Sequence, residues 1–284
     1  VAKEEGRGRL VIIGGHEDKR GPRTCLEEFV RLAGGREARV AIVTTAASDE
    51  EAAFDTYRSL FLDMGAGEVL PLRIQSRREA LQPSSVDVVK KANAFFFTGG
   101  DQLRITSALG GTPVHAALAE AHRAGAVVGG TSAGASMMTA VMIVEGEGDA
   151  SPSRSDVRMS PGMGFLRDAV VDQHFAQRGR IGRLFSVVAQ NPKILGIGID
   201  EDTAVVVEGA GGTIRVVGSN TVTIVDGRSV THTTVSEGGG GNPFSISDLI
   251  VHVLARGYRL DLATRRPHPP SGHRVNRQKD TAKE

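Results

Sequence analysis

The chain has 284 residues, 40% of them hydrophobic, and a formal net charge of +1. That length allows a sizeable core in one large domain or two small ones. The near-neutral balance carries no signature of nucleic-acid binding, and no apolar run is long enough to span a bilayer.

Residues 1–6 lack the apolar region of a secretory signal. The single cysteine, Cys25, has no partner for an internal disulfide, so a cytoplasmic protein is expected. Cys25 falls in an amphipathic helical stretch and reads as a core thiol. In chain order, residues 8–15 form a first buried strand ending in the turn Gly14-Gly15-His16-Glu17-Asp18. Residues 22–32 read as a helix, with Pro22 in its first turn and Gly34-Gly35 as its stop. A strand at 40–45, a helix at 50–64 and a strand at 68–72 follow, the last near a sheet edge because of Pro71. Residues 86–91 belong to a helix, 94–98 to a fourth strand before Gly99-Gly100-Asp101-Gln102, and 112–124 to a helix. Residues 126–128 are a fifth strand. Apolar, non-alternating strands that alternate with helices predict a parallel sheet covered on both faces, with sites at the strands' carboxyl ends.

The second half reads differently. A short strand at 169–172, a helix at 181–189 and a strand at 195–199 lead into Asp200-Glu201-Asp202. Three short strands at 203–208, 213–217 and 221–225 suggest a meander continuing the sheet. Gly238 to Gly241 reads as a flexible loop. Residues 1–266 are read as one catalytic domain, and 267–284 as a polar, poorly ordered tail.

The stretch after the fifth strand carries the chemistry. Residues 130–134 spell Gly-x-Ser-x-Gly around Ser132, with a helix expected to run on through residues 136–142. A serine on such a strand-to-helix turn is held in a strained backbone with its hydroxyl exposed, and free N–H groups of the helix face the same spot. The glycine turns match neither the dinucleotide fingerprint nor the P-loop.

A serine hydroxyl needs a base, and the base an orienting acid. Of eight histidines, His174 in Asp172-Gln173-His174-Phe175 sits where an apolar strand ends, with Arg178, Arg180 and Arg183 following. This density of polar residues reads as a lined pocket. His16 is near the rim. The acid candidates are Asp200, Glu201 and Asp202. The order Ser, His, acid differs from the Ser, acid, His of the α/β-hydrolases, so the elbow is shared and the fold is not.

These motifs, together with Gly198-Ile199-Asp200-Glu201 and Phe97-Thr98-Gly99-Gly100-Asp101-Gln102, resemble those of the cyanophycinases. These enzymes belong to a serine-peptidase family that also includes the α-aspartyl dipeptidases. The resemblance runs from about residue 8 to about residue 260, although His16 stands where a small residue is expected. It implies a three-layer α/β/α sandwich around a mostly parallel sheet, similar to the class I glutamine amidotransferases. It also implies a homodimer that uses no metal or other cofactor. The implied substrate is cyanophycin, a poly-aspartate chain with arginine on each side-chain carboxyl, and the implied product is β-aspartyl-arginine.

Carried over motif by motif, Ser132 is the nucleophile, His174 the general base and Glu201 its acid. By their position on the turns, the N–H groups of Asp101 and Ala133 are expected to form the oxyanion hole. The substrate is zwitterionic at every unit. Arg178, Arg180 and Arg183 are therefore expected to meet carboxylates, Asp172, Gln173 and Asp18 a guanidinium, and Gln102 joins the substrate-facing set. Two other readings stand beside this one. The first is an α-aspartyl dipeptidase-type serine peptidase, which a dipeptide panel would reveal. The second is a non-catalytic ligand-binding member of the fold, which would have no need of all three catalytic groups.

Overall fold

The computed structural model describes residues 8–146, 152, 157–208, 212–237 and 242–270, so the tetraglycine at 238–241 and the tail from residue 271 lie outside it. Five short strands make a parallel sheet: β1 (Leu10–Ile13), β2 (Arg39–Val43), β3 (Glu68–Leu72), β4 (Ala94–Phe97) and β5 (Val127–Thr131). Their spatial order is β1-β5-β4-β2-β3, with β3 at the edge as Pro71 predicts. Side chains alternate between two helical layers. Ala94 and Phe96 face one layer with Phe29, Tyr57 and Phe61, whereas Phe95 and Phe97 face the other with Ile105, Leu109 and Leu118. Burial on both faces is why these strands are apolar throughout.

The first layer holds α1 (Thr24–Leu32) and α2 (Glu50–Asp63). The second holds α3 (Arg77–Ala80), α4 (Pro83–Lys91), α5 (Gln102–Leu109) and α6 (Pro113–Arg123). The helix expected from residue 22 starts at Thr24, because Arg23 takes a left-handed conformation and its N–H is bonded to Asp18. Two short helices were not expected from the sequence. α3 has a capping box between Ser76 and Glu79, and α5 is capped by the Asp101 carboxylate. The helix after the elbow is one turn, α7 (Ala133–Ser136), not a run through residue 142. β6 (Val141–Glu145) begins there instead, as its branched Val141, Ile143 and Val144 favour. It pairs with β7 (Arg158–Pro161).

The second half feeds two sheets. β8 (Ala169–Gln173), α8 (Ile181–Gln190) and β9 (Leu195–Ile199) come first, then β10 (Thr203–Glu208), β11 (Thr213–Gly218) and β12 (Val222–Asp226). β10 and β11 extend the main sheet antiparallel, next to β1. β12 does not complete the expected meander. The chain reverses at Gly218, whose φ is 104°, and β12 joins β9 and β8 in a separate sheet. After the pair β13 (His232–Thr233) and β14 (Ile246–Ser247), β15 (Ile250–Leu254) closes that sheet in the order β15-β12-β9-β8. α8 covers its outer face through Leu184, Val187 and Val188.

Two last strands return to the main sheet, β16 (Arg259–Asp261) and β17 (Pro267–His268). The tail expected from Pro267 thus opens with an edge strand, anchored by the buried Arg265–Asp226 pair (2.5 Å). The expected three-layer sandwich is present, with an antiparallel extension. Among the described residues no helix is long and apolar enough to cross a membrane. Cys25 is 1% exposed, and burial pushes its thiol well above the ordinary range, as a core thiol requires.

Candidate active site

Ser132 follows β5 at φ 54° and ψ −111°, a conformation that non-glycine residues rarely adopt. The surroundings over-determine it. Its N–H donates to the carbonyl of Ile13 at 3.1 Å, and α7 starts at the next residue. A Cβ at Gly134 would lie 2.2 Å from the carbonyl oxygen of Phe97, so only glycine lets the elbow seat against β4. Strain of this kind costs about 1–3 kcal/mol and persists where packing enforces it.

The base comes from the second sheet. β8 ends at Gln173, and the N–H of His174 donates to the Gly14 carbonyl at 2.8 Å, tying that sheet to the turn after β1. The His174 Nε2 lies 3.1 Å from Ser132 Oγ, and its Nδ1 lies 2.6 Å from Glu201 Oε1. Gly15 lies against the imidazole; a Cβ there would approach it to 2.3 Å. Of the three acid candidates only Glu201 reaches the histidine. Asp200 accepts from the Ala176 N–H and from Thr221, and Asp202 from the Asp18 N–H and the Ser219 hydroxyl. Glu201 itself is steadied by Gln177, which accepts from its N–H at 3.0 Å, and by Asn220, which donates to its carbonyl at 2.8 Å.

Burial lowers the His174 pKa below the ordinary histidine value, and the Arg178 and Arg180 charges add to this against the opposing pull of Glu201. The imidazole is therefore neutral at neutral pH. With Nδ1–H donating to Glu201, Nε2 is free to take a proton from Ser132.

The expected substrate-facing residues divide. Gln173 points at the nucleophile, its Oε1 3.5 Å from Ser132 Oγ. Arg178 is exposed and its guanidinium has no ion pair among the described residues. Arg180 donates to the Gln173 carbonyl at 2.5 Å and to Asp172 at 3.4 Å. Burial, with the nearby Arg183 and Arg178 charges, lowers it to about 10 despite Asp172, so it remains charged at neutral pH.

Five of the expected residues need correction. Arg183 is buried and grips both oxygens of the buried Asp172 and the Gly146 carbonyl, so this pair is an internal strut; Asp172 is shut away from an incoming guanidinium and Arg183 does not reach outward. Asp18 turns into its own loop, where the N–H groups of Gly21, Arg20 and Arg23 hold its pKa at about 2. The amide nitrogen of Gln102 is spent on the carbonyls of Ile143 and Val144. The Asp101 N–H donates to the Ala46 carbonyl at 3.0 Å and does not face the nucleophile. The N–H of Ala133 has no partner among the described residues, nor do those of Gly99 and Gly100. Gly99 abuts Ser132.

Sequence reasoning missed Glu17. It is 4% exposed, with one oxygen accepting from Tyr57 (2.5 Å) and Lys19 (2.7 Å) and the other from Thr131 (2.5 Å), the residue before the nucleophile. Burial works to raise its pKa, yet Lys19 and the hydrogen bonds outweigh it and keep the carboxylate ionised. A charged residue in a glycine turn carries no sign in the sequence that it will be buried.

Residues 10–215 match the profile of peptidase family S51. A cyanophycinase of Geminocystis herdmanii is 38% identical over 93% of this chain and 97% of its own. One from a Nostoc species is 38% identical over 94% of this chain and 89% of its own. The crystal structure of a peptidase from an acI-B1 actinobacterium superposes with a TM-score of 0.65 at 23% identity, covering 91% of this chain and 98% of that one; at that identity it speaks for the fold. With the match extending over both sheets, the chain belongs to peptidase family S51 and is a peptidase of the serine type.

Proposed function

We propose that this protein is a serine-type exopeptidase that cleaves the poly-aspartate backbone of cyanophycin and releases β-aspartyl-arginine dipeptides. The observation that carries the reading is the continuous relay from Ser132 through His174 to Glu201, with the guanidinium of Arg178, unpaired among the described residues, and the side chain of Gln173 beside it. The cyanophycinase relatives, alike over almost their full length, supply the substrate class.

His174 Nε2 takes the Ser132 proton as Oγ attacks a backbone carbonyl carbon. The tetrahedral oxyanion is met by the N–H of Ala133 and by N–H groups of the Gly99–Gly100 segment, each donor lowering the barrier by about 3 kcal/mol. His174 then protonates the leaving amine, which departs as the C–N bond breaks. Water attacks the acyl-enzyme ester with His174 again taking a proton, and Ser132 is regenerated with its hydrogen. Glu201 keeps the imidazole in the required tautomer and stabilises its cation. Arg178, joined by the remaining donors of Arg180, pairs with a substrate carboxylate, and Gln173 accepts from a guanidinium.

On the same reading the working form is a homodimer in the cytoplasm, with the expected single catalytic unit carried on through β17 to residue 268. The exposed Ile250, Val251 and Val253 on the edge strand β15 are consistent with a covered surface there.

The test is incubation with insoluble cyanophycin and mass spectrometry of the soluble product, with Ser132→Ala alongside. Dipeptide from the parent alone is expected. Dipeptide from both would remove Ser132 from its role. Dipeptide from neither would sink the substrate assignment, and a panel of α-aspartyl dipeptides would then identify the dipeptidase alternative.

A further inference from the structure

A cleft of about 700 Å³ opens beside α1, away from the triad, a size within the usual range for small-ligand sites. Both signs of charge line it. Arg215 and Arg31 are held on Glu28 (2.5 and 2.7 Å), and Arg23 on Asp63 (2.5 Å), which fixes the walls. Two charged wall side chains have no hydrogen bond or ion pair among the described residues, those of Glu27 and Arg256. The Nε of Arg23 is shut off from solvent and has no acceptor among the described residues. The wall thus offers the Glu27 carboxylate, which lies within electrostatic reach of Arg23, together with the Arg256 guanidinium.

The cleft is linked to the active site by the loop at residues 16–23. At one end of it, Gly15 lies against the His174 ring. At the other, Arg23 lines the cleft. Along the loop His16, Lys19, Arg20 and Asp202 border a second hollow of about 560 Å³. Asp18 pins this course, holding the Arg23 N–H at 3.0 Å while its own N–H donates to Asp202, the neighbour of Glu201.

We propose that the α1 cleft binds an arginine-bearing zwitterion, its guanidinium on Glu27 and its carboxylate on Arg256, and that this zwitterion is a distant unit of the polymer whose end occupies the active site. This rests on the cyanophycin reading above. A repeating zwitterion presents the same unit to both sites. Once its end is seated, the next units reach the cleft at high effective concentration, so a weak second contact adds usefully to retention.

The experiment compares the parent with Glu27→Lys, Arg256→Glu and the double exchange, each checked by thermal melting. Dipeptide release is measured from long polymer and from an oligomer of two units, the shortest that presents a scissile backbone bond. Loss of charge-assisted contacts predicts about tenfold lower kcat/KM on the polymer and an unchanged rate on the oligomer. An equal fall on both substrates, or on neither, would overturn the proposal. Co-sedimentation of the Ser132→Ala protein with the polymer supplies a readout without catalysis. Weaker binding when Arg256→Glu is added supports the cleft even if the parent cleaves no polymer, an outcome that would count against the cleavage reading alone; equal binding overturns it. Free arginine provides the last arm. If it raises the melting temperature of the parent but not of the double variant while polymer turnover is the same in both, the cleft takes a single amino acid and the polymer proposal falls.

Discussion

The nucleophile and its base are held by different means. Ser132 sits in the parallel half, among residues with almost no side chain, and its position is set by backbone: a strained φ, a bond to the Ile13 carbonyl and the seating of Gly134 on β4. His174 sits in the second sheet and is surrounded by charge. Asp172 and Arg183 are locked together under it, Arg180 spans back to Gln173, and Asp200 ties the following turn to Thr221. The difference teaches where each half is vulnerable. The serine side fails through shape and the histidine side through an unbalanced charge.

The largest effect we expect comes from uncoupling the relay without disturbing either half. Glu201→Gln removes the anion facing Nδ1, and kcat should fall about 10³–10⁴-fold by steady-state kinetics, with KM and melting temperature little changed. A drop below tenfold would show that the tautomer is fixed by something other than Glu201.

Asp172→Asn probes the charged half directly. It leaves Arg183 buried without its anion, and breaking such a pair costs about 3–5 kcal/mol. A calorimetric melting temperature lower by roughly 10 °C is expected for a protein of this size. A melting point within a degree or two of the parent would mean that the pair is not a strut.

The smallest effect is a shift along the pH axis, read from the position of the acid limb and not from its height, because Arg178 is also the proposed partner of a substrate carboxylate. Arg178 helps to hold the His174 pKa down, so Arg178→Gln lets it rise. At any given acidic pH more of the imidazole is then protonated and unable to accept, and the acid limb of kcat/KM moves to higher pH. Arg178→Lys keeps the charge and should leave the limb in place. Both profiles are best taken at low ionic strength, because Arg178 is exposed.

The same contrast explains what the sequence made legible. The elbow is contiguous, and its function follows from local backbone geometry, so Gly130 to Gly134 could be recognised in place. The parallel strands were legible because burial on both faces leaves an unbroken apolar run. The charged half was legible as a cluster but not in its roles. Arg178 and Arg183 look alike in the chain, yet helical position buries one against Asp172 and leaves the other outside. Asp101 marked the right loop, but which of its N–H groups is unpartnered depends on Ala46, 55 residues earlier in the chain. The division of 203–225 between two sheets hangs on one left-handed glycine whose neighbours offer no other sign.

The backbone at Ser132 also limits what could replace it. At φ 54° a branched Cβ is crowded against its own main chain, so threonine is a poor fit although it carries the same hydroxyl. Cysteine, unbranched and close to serine in size, fits the same turn. The elbow therefore admits nucleophiles by shape before chemistry, and a thiol enzyme is a single exchange away while a threonine enzyme is not.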